Sequence, residues 1–155
     1  GRGASGVRGI TLAHEKDSVI GMISVNDMDS NILVVSENGF GKRSSLQDYR
    51  ITNRGGKGVK TISITDKTGI LVSIKNVTDE DDLMIINKSG IAIRMAVEDL
   101  RVMGRATQGV KLINLKGSDS IAAVAKVMKD EDQDSHENAT KTSASDDQSL
   151  DQNIP

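Results

Sequence analysis

An all-β array of propeller-like, four-stranded blades is the fold this sequence predicts, because three marks recur along it at one spacing. The first is R-x-x-x-G-V, found in GRGASGV (Gly1–Val7), NRGGKGV (Asn53–Val59) and GRATQGV (Gly104–Val110). Arg2 and Arg54 are 52 residues apart, and Arg54 and Arg105 are 51 apart. The second mark aligns ILVVSENGFGKRSSLQDY (Ile32–Tyr49) with LMIINKSGIAIRMAVEDL (Leu83–Leu100), placing Gly39 and Gly90 51 residues apart. The third is a β-rich run opening at Val19, again at Ile70 and again at Ile121.

Each unit holds about four short β runs, the strand count of a propeller blade. In the middle unit they are Val59–Ile64, Ile70–Val77, Leu83–Asn87 and Ile91–Val97. The turn signals TDKTG, TDEDD and NKSG separate them. Asn38-Gly39 is a dipeptide that favours a tight hairpin. Alternation at Ile70/Val72/Ile74 and at Ile91/Ile93/Met95 fits strands with one face buried. The units run over about 1–52, 53–103 and 104–128, followed by a tail at 129–155. Two whole units and the first half of a third leave open ends, unless blades lend strands to one another or further blades lie upstream.

The chain has 155 residues, about one domain's worth. With one Phe, one Tyr and no Trp, its packing falls to Ile, Val, Leu and Met. The absence of cysteine excludes disulfides and thiolate metal sites and fits a reducing compartment. No stretch approaches the roughly 18 apolar residues of a membrane span, and GRGASGVRGI lacks the apolar region of a signal peptide. The missing initiator Met reads as an internal or C-terminal piece of a longer protein.

Net charge is −2, but the two signs are segregated. Residues 1–129 carry 19 Lys and Arg against 14 Asp and Glu, whereas residues 130–155 carry one Lys against eight acids. The tail is acidic, polar and nearly free of large apolar residues, the composition of a disordered segment. A basic body implies a polyanionic partner.

The candidate contacts to that partner are Arg2, Arg8, Lys42, Arg43, Arg54, Lys57, Lys60, Arg94, Arg105 and Lys111, in turns or at strand ends at repeat-equivalent positions. In a closed array they would share one rim. Around NRGGKGVK, Gly55, Gly56 and Gly58 free the backbone and remove side chains that would hold a phosphate away, although a basic turn has the same composition. Lys and Arg on phosphates bind without reading bases. The scarcity of aromatics argues against single strands, whose bases stack on rings. Duplex DNA is the partner this predicts. A solvated turn is the competing reading for any one lysine. Asp48 and Asp99 each precede a repeated Arg by six residues, so Arg54 and Arg105 have an alternative role in internal ion pairs. Lys42, Arg43 and Lys57 lack such a repeated acid and are the favoured contacts.

Catalytic and metal motifs fail on inspection. GFGKRS (Gly39–Ser44) has Ser36 where a phosphate-binding loop requires its first Gly, and a hairpin surrounds it. DMDSNI (Asp27–Ile32) has Ile32 where a calcium loop requires Gly. His14 and His136 stand alone, and Tyr49 aligns with Leu100 as a packing residue. No catalytic residue, metal site or cofactor is assigned.

GVRGITL, NGFGKRS, NRGGKGV and GRATQGV, with the 51-residue period, resemble the C-terminal domain of the DNA gyrase A protein. The resemblance covers roughly residues 1–128, about the last three blades, and extends to the acidic tail. It implies a six-bladed β-pinwheel, a propeller relative that exchanges strands between blades. It also implies a module that wraps duplex DNA on a basic rim so that the rest of a bacterial, cytoplasmic, chromosome-associated type II topoisomerase introduces negative supercoils. The parent enzyme would use ATP and Mg, bound elsewhere, and would meet the gyrase B protein through other domains. The family's hallmark box is a Gln and a basic residue before Arg-Gly-Gly-x-Gly. Thr52–Gly58 lacks that leading pair and reads as a degenerate copy, with the box itself upstream. The gyrase-A-like component of topoisomerase IV and a propeller-like protein-interaction scaffold are the alternatives.

Overall fold

A computed structural model describes residues 3–129, so Arg2 and the segment from Asp130 lie outside the described residues. Among the described residues seven strands form: β1 (Asn31–Ser36), β2 (Phe40–Ser45), β3 (Leu71–Val77), β4 (Asp81–Asn87), β5 (Ala92–Ala96), β6 (Val110–Lys111) and β7 (Ile121–Met128). One turn of 3-10 helix, Leu46–Asp48, follows β2. Ser45 caps it by accepting a hydrogen bond from the Gln47 amide at 3.2 Å. Among the described residues no helix is long and apolar enough to cross a membrane.

The strands make two antiparallel sheets, ordered β3-β1-β2-β6 and β5-β4-β7. Each is built around one of the two aligned hairpins. Ile32 faces Ser44 in the first and Leu83 faces Met95 in the second, a shift of 51 residues on both strands. Gly39 and Gly90 close the hairpins at φ of 82° and 88°, the left-handed region that glycine alone enters freely.

A sheet is not a sequence unit. β1 and β2 come from the first repeat, β3 from the second and β6 from the third. The blades therefore lend strands, one of the two resolutions expected for the open ends. The same rule explains a strand that is missing. Val59–Ile64 reads as β but forms no strand, and neither does the run opening at Val19. Val110–Lys111, the counterpart of Val59–Lys60, pairs with Phe40 and Gly41. Among the described residues no hairpin lies beside Val59–Lys60 as Phe40 and Gly41 lie beside Val110–Lys111. Sheet propensity without a partner strand gives no strand.

Two further expectations are corrected. Ile70, Val72 and Ile74 do not share a face, because the β1–β3 register shifts between Val35 and Ser36. This bulge makes Val72 the extra residue, so Val72 packs in one core while Leu71 and Ile74 pack in the other. The matching shift between Ile86 and Asn87 sets Asn87 opposite Ile121, as Ser36 stands opposite Leu71. The structural counterpart of Ile121 is thus Leu71 and not Ile70.

β1 is buried on both faces, as the unbroken run ILVV requires. Leu33 and Val35 meet Leu83 and Ile85 of the second sheet, joined by Val77, Val97, Leu100, Ile121 and Val124. Ile32 and Val34 turn the other way, onto Ile62, Ile23, Leu46 and Tyr49. At about 1.5–3 kcal/mol for each large apolar side chain buried, the joint between the sheets dominates the energetics.

Candidate nucleic-acid interface

The R-x-x-x-G-V loops do not stand apart. Gly55 donates its amide to Gly9 O at 2.8 Å, and Thr11 returns its own to Gly56 O at 2.9 Å. One repeat later, Ser63 donates to Thr107 O at 3.1 Å. The Arg105 guanidinium donates through Nη1 to Lys60 O at 3.0 Å. Each loop is thereby laid against the segment that follows the previous loop. Their shared glycine is a conformational requirement: Gly6, Gly58 and Gly109 have φ of 88°, 78° and 85°. In the box-like turn Gly55 also has positive φ, whereas Gly56 does not.

This run of loops gathers Arg8, Arg54, Lys57, Lys60 and Arg105. Arg8, Arg54, Lys57 and Lys60 are exposed, and none of them joins an ion pair among the described residues. Arg105 is half-buried, its guanidinium 6.0 Å over the Tyr49 ring. Tyr49 packs against the smaller core, as its alignment with Leu100 suggests, and its hydroxyl bonds the Thr61 hydroxyl. The ion pairs expected from the six-residue spacing, Asp48–Arg54 and Asp99–Arg105, are absent among the described residues.

The other candidates lie elsewhere. Lys111 sits on β6 in a shallow pocket with Asn38, Phe40 and Lys67. The Lys67 ammonium stands 5.4 Å over the Phe40 ring. Arg94, on the outer strand of the second sheet, pairs with Asp82 at 2.7 Å and donates to Met128 O at 3.1 Å.

Lys42 and Arg43, two of the favoured contacts, are interior groups, which corrects the expectation that they stand on the rim as phosphate contacts. Lys42 is 1% exposed. Its ammonium donates to the Gly104 and Arg105 carbonyls. Burial lowers its pKa to about 8; Asp48 opposes the shift and Arg105 adds to it. Arg43 points to the opposite face of β2, where Nε donates to Leu100 O and Nη1 pairs with Asp79. Adjacent strand residues face opposite ways, so the pair grips the crossing segment Leu100–Arg105 from two sides. A parallel bridge from Arg43 to Val102 and a 2.9 Å bond from the Met103 amide to Arg43 O complete the hold.

Three of the four acids of TDEDD are drawn into such pairs. Asp79 takes Arg43, Asp82 takes Arg94, and Asp81 lies 3.6 Å from Lys126. The internal pairs therefore consume acid beside the strands and leave the loop cations uncompensated. Other exposed cations, Arg50, Arg101 and Lys16 among them, fell outside the candidate set. Arg50 and Arg101 stand 51 residues apart, a recurrence that the same period reveals. Lys16 lines a groove with Lys57, His14 and Asp17, a proximity that no local signal announces.

The family described as DNA gyrase C-terminal domain, beta-propeller, matches residues 1–26, 30–78 and 81–128. The chain belongs to that family. It is 48% identical over 145 residues to the DNA gyrase A protein of Staphylococcus aureus (strain NCTC 8325 / PS 47), covering 92% of this chain and 16% of that protein. Among solved structures, that of a DNA gyrase A C-terminal domain superposes with a TM-score of 0.72 at 28% identity, over 79% of this chain and 41% of the other. The C-terminal domain of DNA topoisomerase IV superposes with the same TM-score, 0.72, at 20% identity, over 79% of this chain and 38% of the other, and shares the fold. The β-pinwheel reading of this gyrase-family domain stands on these matches.

Proposed function

We propose that this gyrase-family domain binds and bends duplex DNA through its loop edge, as part of the gyrase A component of a bacterial type II topoisomerase that introduces negative supercoils. One observation carries the proposal. Hydrogen bonds from each loop to the segment after the previous one string Arg8, Arg54, Lys57, Lys60 and Arg105 along one edge, while Arg43 and Arg94 on the strands are paired with Asp79 and Asp82. Such a strip meets a phosphate backbone without reading bases and favours a duplex that follows its curve. No bond-making step is assigned to these residues. The chain spans only 16% of the curated relatives it matches, so ATP, Mg, the gyrase B protein and a cytoplasmic, nucleoid-associated setting belong to the proposal for the parent protein. The 48% identity to a gyrase A protein favours gyrase over topoisomerase IV.

The test is duplex binding across salt, by gel shift or fluorescence anisotropy. With three or four phosphates engaged, log affinity falls against log salt with a slope of about −3 to −4. Salt-independent affinity, or preference for single strands, overturns the reading.

A further inference from the structure

We infer that Lys42 is a positioning residue for the loop that carries Arg105, touching no phosphate itself but fixing where that guanidinium is presented. Only the last clause rests on the duplex-binding reading; the hold on the loop stands on geometry. β2 grips the loop at both ends. At its start the Lys42 ammonium takes the Gly104 and Arg105 carbonyls. At its end Val110 pairs with Gly41, and Gly109 lies so close that a Cβ there would stand 2.5 Å from Gly41 O. The counterpart of Lys42 in the second hairpin is Ile93, so the repeat folds without a cation at this position. A buried ammonium is costly where an isoleucine suffices, unless its donors are used. Here both loop carbonyls use them. The adjoining 53–58 loop is held differently, by Gly9 and Thr11.

The experiment compares Lys42→Met with Asp79→Asn, which removes the neighbouring Arg43 ion pair but leaves the loop's anchor. Amide hydrogen exchange is followed at Ala106–Gly109 in the free protein. Duplex affinity against salt is then measured for Lys42→Met, Arg105→Ala and the double variant. The expected result is exchange about tenfold faster in Lys42→Met and unchanged in Asp79→Asn. The expected salt slope is shallower by about one for Lys42→Met and for Arg105→Ala, with no further loss in the double variant. Unchanged loop exchange in folded Lys42→Met, or losses that add in the double variant, overturns the inference. Should Lys42→Met fail to fold, Lys42→Gln, which retains one shorter donor, carries the same comparison. If the wild type itself shows no salt-dependent duplex binding, the functional reading falls, and loop exchange alone decides the role of Lys42.

Discussion

Arg43 on β2 and Asp79 on the turn between β3 and β4 form an ion pair that ties the hairpin of one repeat to the turn of the next. Its partners are unequal: the Arg43 side chain is buried, whereas that of Asp79 is 68% exposed.

That inequality predicts unequal costs. Asp79→Asn removes an exposed charge and should lower unfolding free energy by about 1 kcal/mol or less. Arg43→Ala leaves the Leu100 carbonyl without its donor in the interior and removes the packed stem, so about 2–3 kcal/mol is expected. Urea denaturation of both variants checks the ratio, and equal losses would contradict it.

On the loop edge, Lys57→Ala and Arg54→Ala should behave alike. Neither side chain has an ion-pair partner among the described residues. Each change should flatten the salt slope of duplex binding by about one and leave the melting temperature nearly unmoved. A melted Arg54→Ala protein would restore an internal role for that arginine. Affinity unchanged in both variants would leave the turn without a part in binding.

Glycine substitutions should separate backbone strain from crowding. Gly58 has φ of 78° with open space around it, so Gly58→Ala should cost about 1–2 kcal/mol from strain alone. Gly109 combines φ of 85° with the Gly41 carbonyl 2.5 Å from an added Cβ, so Gly109→Ala should cost more than Gly58→Ala and weaken the β2–β6 pairing. Gly56, with neither positive φ nor a close contact under 3.3 Å, should tolerate Ala best. Thermal unfolding of the three variants gives the order directly.

The pH dependence of stability should bear the mark of Lys42. Its pKa falls from 10.5 to about 8 on folding, mainly through burial, with Asp48 and Arg105 the charges facing it. Below pH 8 both states hold the proton. Between pH 8 and 10.5 the unfolded state holds more of it, so this linkage makes stability rise with pH across that window. Relative to Lys42→Met, the wild type should gain stability from pH 8 to 10. A constant difference between the two would show that Lys42 titrates normally.

Much of the fold was written in periodicity. ILVV and LMII name the central strands, and Gly39 and Gly90 name the hairpin turns. What escaped notice was which strands share a sheet. Val59–Ile64 has the composition of a strand and β2 has that of an exposed turn, yet partnership decides both. FGKRSS is polar, but the crossing segment Leu100–Arg105 covers it, and nothing local to residue 42 encodes a cover some 60 residues away. The glycine of R-x-x-x-G-V was legible because its cause is local, a positive φ. Arg54 and Lys60 were legible by period, through Arg105 and Lys111, and the interior placing of Lys42 and Arg43 was not.

The borrowed strands also impose an order in time. A ribosome finishes the β1–β2 hairpin at Ser45 but delivers its outer neighbour only at Val110–Lys111, on the order of several seconds later. Throughout that wait β2 is a bare edge, open to any passing strand. Lysine and arginine on an edge discourage such pairing. Lys42 and Arg43, interior groups in the finished blade, are the charges that edge carries until its cover is made.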